Sequence, residues 1–350
     1  MWGVNGHPAR WSEAYDWRDG DGRLQRQLAL IRELGFTHYR VDVGFEMDGR
    51  ETGRLAAVAE AADRYGVTLL PVMTFSTVGV PSSAREAYRA GRRMGTTFVR
   101  HHGSRFPVVE VGNELDIPAM IGGHPNGHDA DHYLPPLTER YAELLRGILE
   151  AMAAGAPGMQ TMVNFAQSHT GWIRLLADRG VPFDLIGWHM YVNESGYGDD
   201  REHGSDYRSS LARLVGLGRD IWITEVNRHE GSGPRNAFGR EQALVLDRLA
   251  GEMYAHPRVR AFIIYELFDE TAALANSDSL GRPVTGDDDE AWYGLVHCRG
   301  EPRIARRCGG ELERKPAFLH VRDRRRALAV ARDRPTSALR PMPGSPVLLR

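Results

Sequence analysis

The sequence predicts an α/β protein in which strands and helices alternate, an order expected to close into a (β/α)8 TIM barrel. Eight short runs rich in β-branched and aromatic residues are separated by segments with apolar residues at helical spacing. Alternating units of this kind imply a parallel sheet, and eight units in about 320 residues fit a closed barrel. An open nucleotide-binding sheet would need a glycine-rich turn after the first strand, and Gly3 and Gly6 do not form that fingerprint.

The strands are predicted from buried apolar runs and the helices from apolar residues that share one helical face. In the first unit, Leu24, Leu28 and Ile31 recur at helical spacing and Gly35 ends the helix. The predicted strands are residues 2–5, 37–43, 67–73, 108–111, 160–165, 183–191, 221–225 and 261–266. The predicted helices are residues 24–34, 55–65, 84–99 and 137–152, one that begins near residue 171, and residues 209–215 and 240–254.

One barrel domain is predicted over residues 1–320. Beyond it the periodicity fades, and the cluster Arg324-Arg-Arg326 is followed by Pro335, Pro341, Pro343 and Pro346. This composition predicts a terminal helix that frays into a poorly ordered, Arg- and Pro-rich tail over residues 321–350.

The composition excludes several classes of function. With 44 basic and 46 acidic residues the formal charge is -2, which gives no field to attract nucleic acid or an anionic membrane. No apolar run approaches the roughly 20 residues of a membrane span, and the N-terminus lacks a signal peptide's basic and apolar regions, so the cytoplasm is the default expectation. Cys298 and Cys308 are too few for a disulfide scaffold or a four-thiolate zinc site; we expect reduced thiols, with a bridge as the alternative.

Two glutamates each follow a buried strand and form the candidate catalytic pair. Glu114 follows the run Val108-Val-Glu-Val111, and Glu225 ends the run Ile221-Trp-Ile-Thr-Glu225. Chemistry in a barrel takes place at the carboxyl ends of the strands, so we expect both side chains at its mouth. Candidate polar neighbours at the same strand ends are Asn5, Arg40, Asn113, His189, Tyr191 and Tyr265. Candidate aromatic faces for sugar rings are Trp172, Trp188, Trp222, Tyr265, Phe268 and Trp292.

These motifs resemble clan A, the large clan of retaining glycoside hydrolases with a (β/α)8 barrel. The resemblance is carried by Asn113-Glu114 on the fourth strand, Thr224-Glu225 on the seventh, Arg40-Val-Asp42 on the second, His189-Met-Tyr191 on the sixth, and the closing segments Tyr293-Gly-Leu-Val296 and Lys315-Pro-Ala-Phe318. Within the clan, Arg40-Val-Asp42 and the eighth-strand segment Tyr265-Glu-Leu-Phe-Asp-Glu270 are most similar to glycoside hydrolase family 39, with family 5 next.

The resemblance implies hydrolysis of an O-glycosidic bond, β-linked, in an oligo- or polysaccharide, by double displacement with retention. Glu225 would be the nucleophile, and Glu114 the acid that later acts as the base. The implied contacts are Arg40 and Tyr191 on Glu225, Asn113 on the sugar 2-hydroxyl, and His189 on Glu114 or the sugar. Asn5, Tyr265 and Trp292 complete the predicted substrate-binding set, and neither a cofactor nor a metal is implied.

Two other functions fit parts of the sequence. A barrel that binds carbohydrate without cleaving it, in polysaccharide assembly, would present a similar cleft. A metal-dependent hydrolase is suggested by His124, His128 and His132, which recur every fourth residue as zinc ligands on a helix do. Pro125 and Gly127 break helical geometry there, so a loop at the wall of the cleft is the favoured interpretation. A carbohydrate is the predicted partner, and the sequence carries no signal for an oligomeric state.

Overall fold

The chain folds as a closed parallel barrel, seen in a computed structural model that describes residues 1–9, 22–122, 126–192, 207–228, 235–269, 292–298 and 312–333. The barrel strands are β1 (Trp2–Gly6), β2 (His38–Phe45), β4 (Thr68–Phe75), β5 (Val108–Val111), β6 (Gln160–Ala166), β7 (Leu185–Val192), β8 (Asp220–Arg228) and β9 (Val259–Ile264). Each strand pairs in parallel with the next, and β1 pairs with both β2 and β9, which closes the sheet. The predicted (β/α)8 barrel is confirmed.

Helices surround the barrel in the alternating order that the sequence predicts. They are α1 (Arg23–Glu33), α2 (Leu55–Arg64), α3 (Ala84–His102), α4 (Asp116–Ala119), α5 (Pro135–Gly155), α6 (Thr170–Asp178), α7 (Tyr207–Val215), α8 (Arg235–Tyr254) and α9 (Pro316–Asp333). The smaller elements are strand β3 (Glu51–Thr52), antiparallel to β2, the 3-10 helix Ala130–His132, and the antiparallel pair β10 (Val296–Cys298) and β11 (Leu312–Arg314). Among the described helices, none combines the length and apolar character that a membrane crossing requires.

Several strand and helix ends differ from the predicted ones by a few residues, and two cases concern the end of the barrel. The eighth strand is predicted over residues 261–266, but β9 ends at Ile264, so Tyr265 and Glu266 lie beyond it. Helix α9 begins at Pro316 and runs across the predicted boundary at residue 320, because Phe318 and Val321 share one buried face. Residues 334–350 of the predicted tail, and Cys308, lie outside the described residues.

The interior of the barrel is apolar towards the start of the strands and polar towards their ends. The apolar layer consists of Leu70, Val108, Met162, Leu185, Trp222, Ala261 and Ile263. Two residues further along three of these strands stand Glu110, Asn164 and Thr224, all buried. Because side chains alternate along a strand, these residues point into the barrel directly above the apolar layer. A buried polar layer therefore supports the mouth of the barrel.

Helices α3 and α5 approach each other closely because glycines lie at their contact. A Cβ atom at Gly91 would meet the carbonyl oxygen of Leu144, and one at Gly147 would meet the carbonyl oxygen of Tyr88. Both contacts are with backbone atoms, which cannot move aside as a flexible side chain can. The two helix backbones therefore pack at a distance that larger residues would prevent.

Replacing Gly91 with alanine is expected to lower the free energy of unfolding by about 1–3 kcal/mol, because the added Cβ forces the helices apart. Helix propensity alone would give the opposite sign, since alanine in a helix is favoured over glycine by about 1 kcal/mol. The measurement is urea unfolding of both proteins. Gly158→Ala, whose Cβ would meet nothing within 4 Å, is the control. A Gly91 variant as stable as the control would contradict the close packing.

Candidate active site

The two candidate glutamates lie together at the mouth of the barrel. Glu114 follows β5, and Glu225 lies on β8. One carboxylate oxygen of each glutamate and a ring nitrogen of His189 all lie within 4.8 Å of one another. Retaining glycosidases hold their two carboxyl groups about 5–5.5 Å apart, whereas inverting enzymes need about 6.5–9.5 Å to admit a water. The short separation fits direct attack by one carboxylate rather than attack by an intervening water.

A register shift in β8 turns Glu225 into the barrel. Trp188 of β7 pairs with Ile223, but the next residue, His189, pairs with Glu225, so Thr224 is an extra residue in β8. A bulge of this kind bends the strand and re-aims the side chains that follow. In a regular strand, Thr224 and Glu225 would point to opposite faces; here both side chains contact residues of the barrel interior.

Glu114 is held by an unusual backbone conformation. Its φ angle is 49°, in the left-handed region, and Gly112, two residues before it, has a φ angle of 80°. The backbone N–H of Glu114 donates to Oδ1 of Asn164 at 2.8 Å, and the amide of Asn164 donates back to the carbonyl of Gly112 at 2.8 Å. Non-glycine residues adopt this conformation rarely, and it is found most often where function requires it.

Glu225 is surrounded by donors that favour its ionised form. Arg40 Nη1 donates to Oε1 of Glu225 at 2.6 Å, and the Tyr191 hydroxyl donates to Oε2 at 2.5 Å. Burial alone would raise the pKa of Glu225, but the positive charges of His189 and Arg40 and the Tyr191 hydrogen bond lower it below its ordinary value. Burial and the negative charge of Glu225 raise the pKa of the Tyr191 hydroxyl, so that tyrosine remains a neutral donor.

The environment of Glu114 has the opposite effect. Burial raises the pKa of Glu114, and the negative charges of Glu225 and Asp116 raise it further, against the lowering effect of His189. Its side chain is 21% exposed, whereas that of Glu225 is 8% exposed. Of the two carboxyl groups, Glu114 thus keeps a proton to higher pH and Glu225 loses it first. An acid and a nucleophile require this division.

His189 connects the two glutamates. Its Nδ1 atom lies 2.9 Å from Oε1 of Glu114 and 3.6 Å from Oε1 of Glu225. Burial alone would lower the pKa of His189, but the charge of Glu225 and the hydrogen bonds to Glu110 and Glu114 raise it to about 10. The raised pKa favours the imidazolium form of His189, and its Nδ1–H is placed to donate to Glu114.

The other predicted site residues lie at different depths. Asn5 is buried, and its amide donates to the carbonyl oxygens of Thr224 and Ile264. Its Oδ1 accepts from Arg40 Nη1 at 2.8 Å, so Asn5 holds the guanidinium in place. Asn113 is exposed, and its Oδ1 accepts from Arg40 Nη2 at 3.3 Å.

Three tyrosine rings meet beside Glu225. The ring of Tyr265 meets that of Tyr191 edge to face, with centroids 6.2 Å apart, and Tyr293 stacks on Tyr191 at 5.3 Å. Trp292 is half-buried; it stacks on His297, and its carbonyl accepts a hydrogen bond from Lys315 at 2.6 Å. Its contacts thus tie Trp292 to the segment around β10.

Four of the aromatic residues considered as sugar platforms are core residues instead. Trp172, Trp188, Trp222 and Phe268 are all buried, with exposed fractions of 0%, 1%, 5% and 6%. Trp188 stacks on Phe165 and donates its indole N–H to the carbonyl of Gln167, while Trp222 belongs to the apolar layer inside the barrel. A sugar platform must expose one face of its ring, so Tyr265 and Trp292 are the two of these six residues that remain candidate platforms.

Glu110 and Tyr293 lie in the site but were not predicted from the sequence as site residues, whereas Asn164 was predicted to lie at a strand end at the mouth of the barrel. Glu110 has no exposed surface, and Arg40 Nε donates to its Oε2 at 2.6 Å. A signal for Glu110 exists in the sequence: it is a charged residue inside an apolar strand, and a buried charge requires a partner. Arg40, in the middle of another apolar strand, is its complement.

The structure holds two groups of side chains with the composition of a metal site within the residues it describes. One is Glu114, His189 and Glu225, and the other is Glu51, His101 and His102 on the flank of the barrel. Neither group includes His128 or His132, and His124 lies outside the described residues. In the first group Arg40 already neutralises Glu225, and a cation would compete with it.

No family model matches the chain, and no curated protein matches it in sequence. Its fold is similar to that of a β-glycosidase, with a TM-score of 0.60 and 17% identity over 94% of this chain and 96% of the other. It is also similar to xylanase 10B from Thermotoga petrophila RKU-1 in complex with xylobiose (TM-score 0.59, 15% identity, 93% of this chain and 94% of the other). A third similar structure is the family 1 β-glucosidase from Thermotoga maritima (TM-score 0.57, 11% identity, 92% and 96% covered).

At these identities the likeness establishes the fold alone. The chain has a (β/α)8 barrel of the kind found in glycoside hydrolases, as its motifs predict.

Proposed function

We propose that the protein is a retaining glycoside hydrolase with Glu225 as the nucleophile and Glu114 as the acid/base. One observation carries the proposal: two carboxyl groups lie within 4.8 Å at the mouth of the barrel, and their surroundings shift the two pKa values in opposite directions. This separation and this division of protons are what double displacement requires.

The reaction proceeds in two steps. In the first, the ionised Glu225 attacks the anomeric carbon, the glycosidic C–O bond breaks, and Glu114 gives its proton to the leaving oxygen. In the second, Glu114 removes a proton from water, the water oxygen bonds to the anomeric carbon, and Glu225 leaves as a carboxylate. Esterification removes the negative charge of Glu225, one of the charges that raise the pKa of Glu114. Glu114 thereby gives up its proton more readily once the ester has formed, which suits its change from acid to base.

The proposed substrate is a β-linked oligo- or polysaccharide. The similar structures are named as β-glycosidase, xylanase and β-glucosidase, which favours this linkage. Asn113, exposed beside Arg40, is proposed to bind the 2-hydroxyl, and the ring of Tyr265 to contact the sugar. The motifs Arg40-Val-Asp42 and Tyr265-Glu-Leu-Phe-Asp-Glu270 are our reason for assigning the chain to family 39, with family 5 as the alternative.

The test is covalent trapping with 2-deoxy-2-fluoro β-glycosides that carry a good leaving group, including glucosides and xylosides. The fluorine slows both steps and the leaving group restores the first, so the glycosyl-enzyme ester accumulates. We expect one sugar adduct by intact mass, located on Glu225 by peptide mapping, and the reactive glycoside identifies the sugar. Glu225→Gln, which lacks the nucleophile, is the control and should gain no adduct.

Parallel assays with unmodified glycosides separate the alternatives. Hydrolysis that releases the inverted anomer, or an adduct on another residue, would contradict the assignment of Glu225. Sugar binding without hydrolysis would favour the non-catalytic barrel. Loss of hydrolysis on addition of a chelator would favour a metal-dependent enzyme, whereas the proposed mechanism predicts an unchanged rate.

A further inference from the structure

A third carboxylate, Glu110, lies beneath the catalytic pair, and neither step of the proposed reaction uses it. It is on β5, four residues before Glu114, and has no exposed surface. A carboxylate this deeply buried is retained only where other groups neutralise and bind it.

Glu110 is bound by groups from four other strands. Arg40 on β2 donates from Nε to Oε2 at 2.6 Å. On the other oxygen, Oε1, Asn164 of β6 donates at 2.7 Å and Thr224 of β8 at 3.2 Å, and His189 Nε2 of β7 lies 3.5 Å away. Three of these four side chains also have a second contact, apart from the one with Glu110.

The three second contacts lead to the catalytic pair. Arg40 Nη1 donates to Glu225 at 2.6 Å, and His189 Nδ1 lies 2.9 Å from Glu114. Asn164 accepts from the backbone N–H of Glu114 at 2.8 Å. A movement of the Glu110 carboxylate would therefore displace partners of both the proposed nucleophile and the proposed acid.

Gly187 on β7 provides the space for this carboxylate. A Cβ atom at position 187 would lie 2.9 Å from Oε1 of Glu110. The strand thus places its smallest residue where Glu110 crosses the barrel interior.

The contacts of Glu110 also affect the net charge of the site. Arg40 Nη2 and His189 Nε2 are only 3.2 Å apart, so a protonated His189 sits directly beside a guanidinium. Glu110 contacts both groups, and Glu225 faces both from β8. Arg40 and a charged His189 together balance the negative charges of Glu110 and Glu225. Without Glu110 the same site would carry one excess positive charge.

We propose that Glu110 is a positioning residue of the proposed reaction, which fixes Arg40 against Glu225 and keeps His189 protonated as the donor to Glu114. The inference rests on the proposed function for its role in catalysis, but the protonation of His189 can be measured without substrate. Removing the negative charge of Glu110 weakens proton retention by every nearby group, so the pKa values of His189 and Glu225 both fall.

The first measurement is the pH titration of the histidine ring nitrogens by 15N NMR in the unmodified protein. His189 is expected to remain doubly protonated up to a pH near 10, well above its ordinary pKa of 6.5. A His189 that titrates near its ordinary value would overturn the proposal. The result depends neither on the folding of a variant nor on any hydrolytic activity, so it is distinct from a failure of the proposed function.

The second measurement is the pH dependence of kcat/KM in Glu110→Gln and Glu110→Asp. The alkaline limb of the profile is the pH range in which the proton donors of the site lose their protons. We expect Glu110→Gln to move this limb down by about one pH unit or more, since a charge within about 4–6 Å shifts a pKa by one to three units. Glu110→Asp keeps the charge but shortens the reach, so its kcat should fall while the limb remains near its original pH. Glu150→Gln removes the same charge from the outer helix α5 and should leave the profile unchanged. A limb that stays in place in a folded Glu110→Gln protein would show that Glu110 acts only as a structural support.

Discussion

Glu225→Gln is expected to lower kcat by about 10⁴-fold or more on every glycoside that the protein cleaves, because the amide cannot form the glycosyl ester. The fold should survive the change. The carbonyl oxygen of the new side chain can accept from Arg40 Nη1 while its amide group faces the Tyr191 hydroxyl, in the positions of the two carboxylate oxygens. The measurement is steady-state hydrolysis of aryl glycosides, with thermal unfolding of both proteins to establish that the variant is folded.

A matched control exists on the flank of the barrel. Glu51 is also a carboxylate bound by histidines, with His101 Nδ1 at 2.7 Å and His102 Nε2 at 2.9 Å. Glu51→Gln should leave kcat unchanged, because Glu51 is not one of the two catalytic glutamates.

Glu225→Ala with added azide should form a glycosyl azide of inverted configuration, since the small anion occupies the space of the missing carboxylate. A Glu225→Gln protein with near-normal kcat would rule out Glu225 as the nucleophile.

The fold was predictable because each barrel strand is a buried apolar run that depends little on distant residues. The run at residues 108–111 predicts β5 with both ends correct, and the run at residues 221–225 lies within β8. Placing Glu114 and Glu225 at the barrel mouth follows from the same reasoning, because all strands of a parallel barrel end on one side. Local pattern and a general rule of the fold were sufficient for these features.

Other features depend on tertiary contacts that no local pattern contains. Strict alternation along β8 would turn Glu225 away from Thr224, and only the extra residue opposite Trp188 and His189 brings both side chains inside. The burial of Trp172 and Trp188 depends on which helix and strand faces cover them. The sequence shows only that both residues are aromatic, which suggested sugar platforms. Glu110 stood within the most informative stretch of the sequence, but its meaning depends on Arg40, which is 70 residues away in the chain.

Glu114→Ala is expected to have an effect that depends on the leaving group, and this dependence separates an acid/base from a nucleophile. With a poor leaving group, loss of the proton donor should lower kcat/KM by about 10²–10⁴-fold, the usual contribution of general acid catalysis. With a leaving group such as dinitrophenolate, which needs no proton, the first step should be nearly unaffected. The second step should then limit turnover, because no base remains to activate water, so kcat and KM should fall together.

The structure gives a reason to expect azide rescue at this position. Glu114 is 21% exposed, and its carboxylate is held on one side by His189, so its removal opens a space beside the anomeric carbon of the proposed intermediate. Azide needs no general base and should restore turnover of the activated substrate, with release of a glycosyl azide of retained configuration. Glu225→Ala should give the inverted azide under the same conditions. The same configuration from both variants would contradict the assignment of roles, because the two carboxyl groups must act from opposite faces of the anomeric carbon.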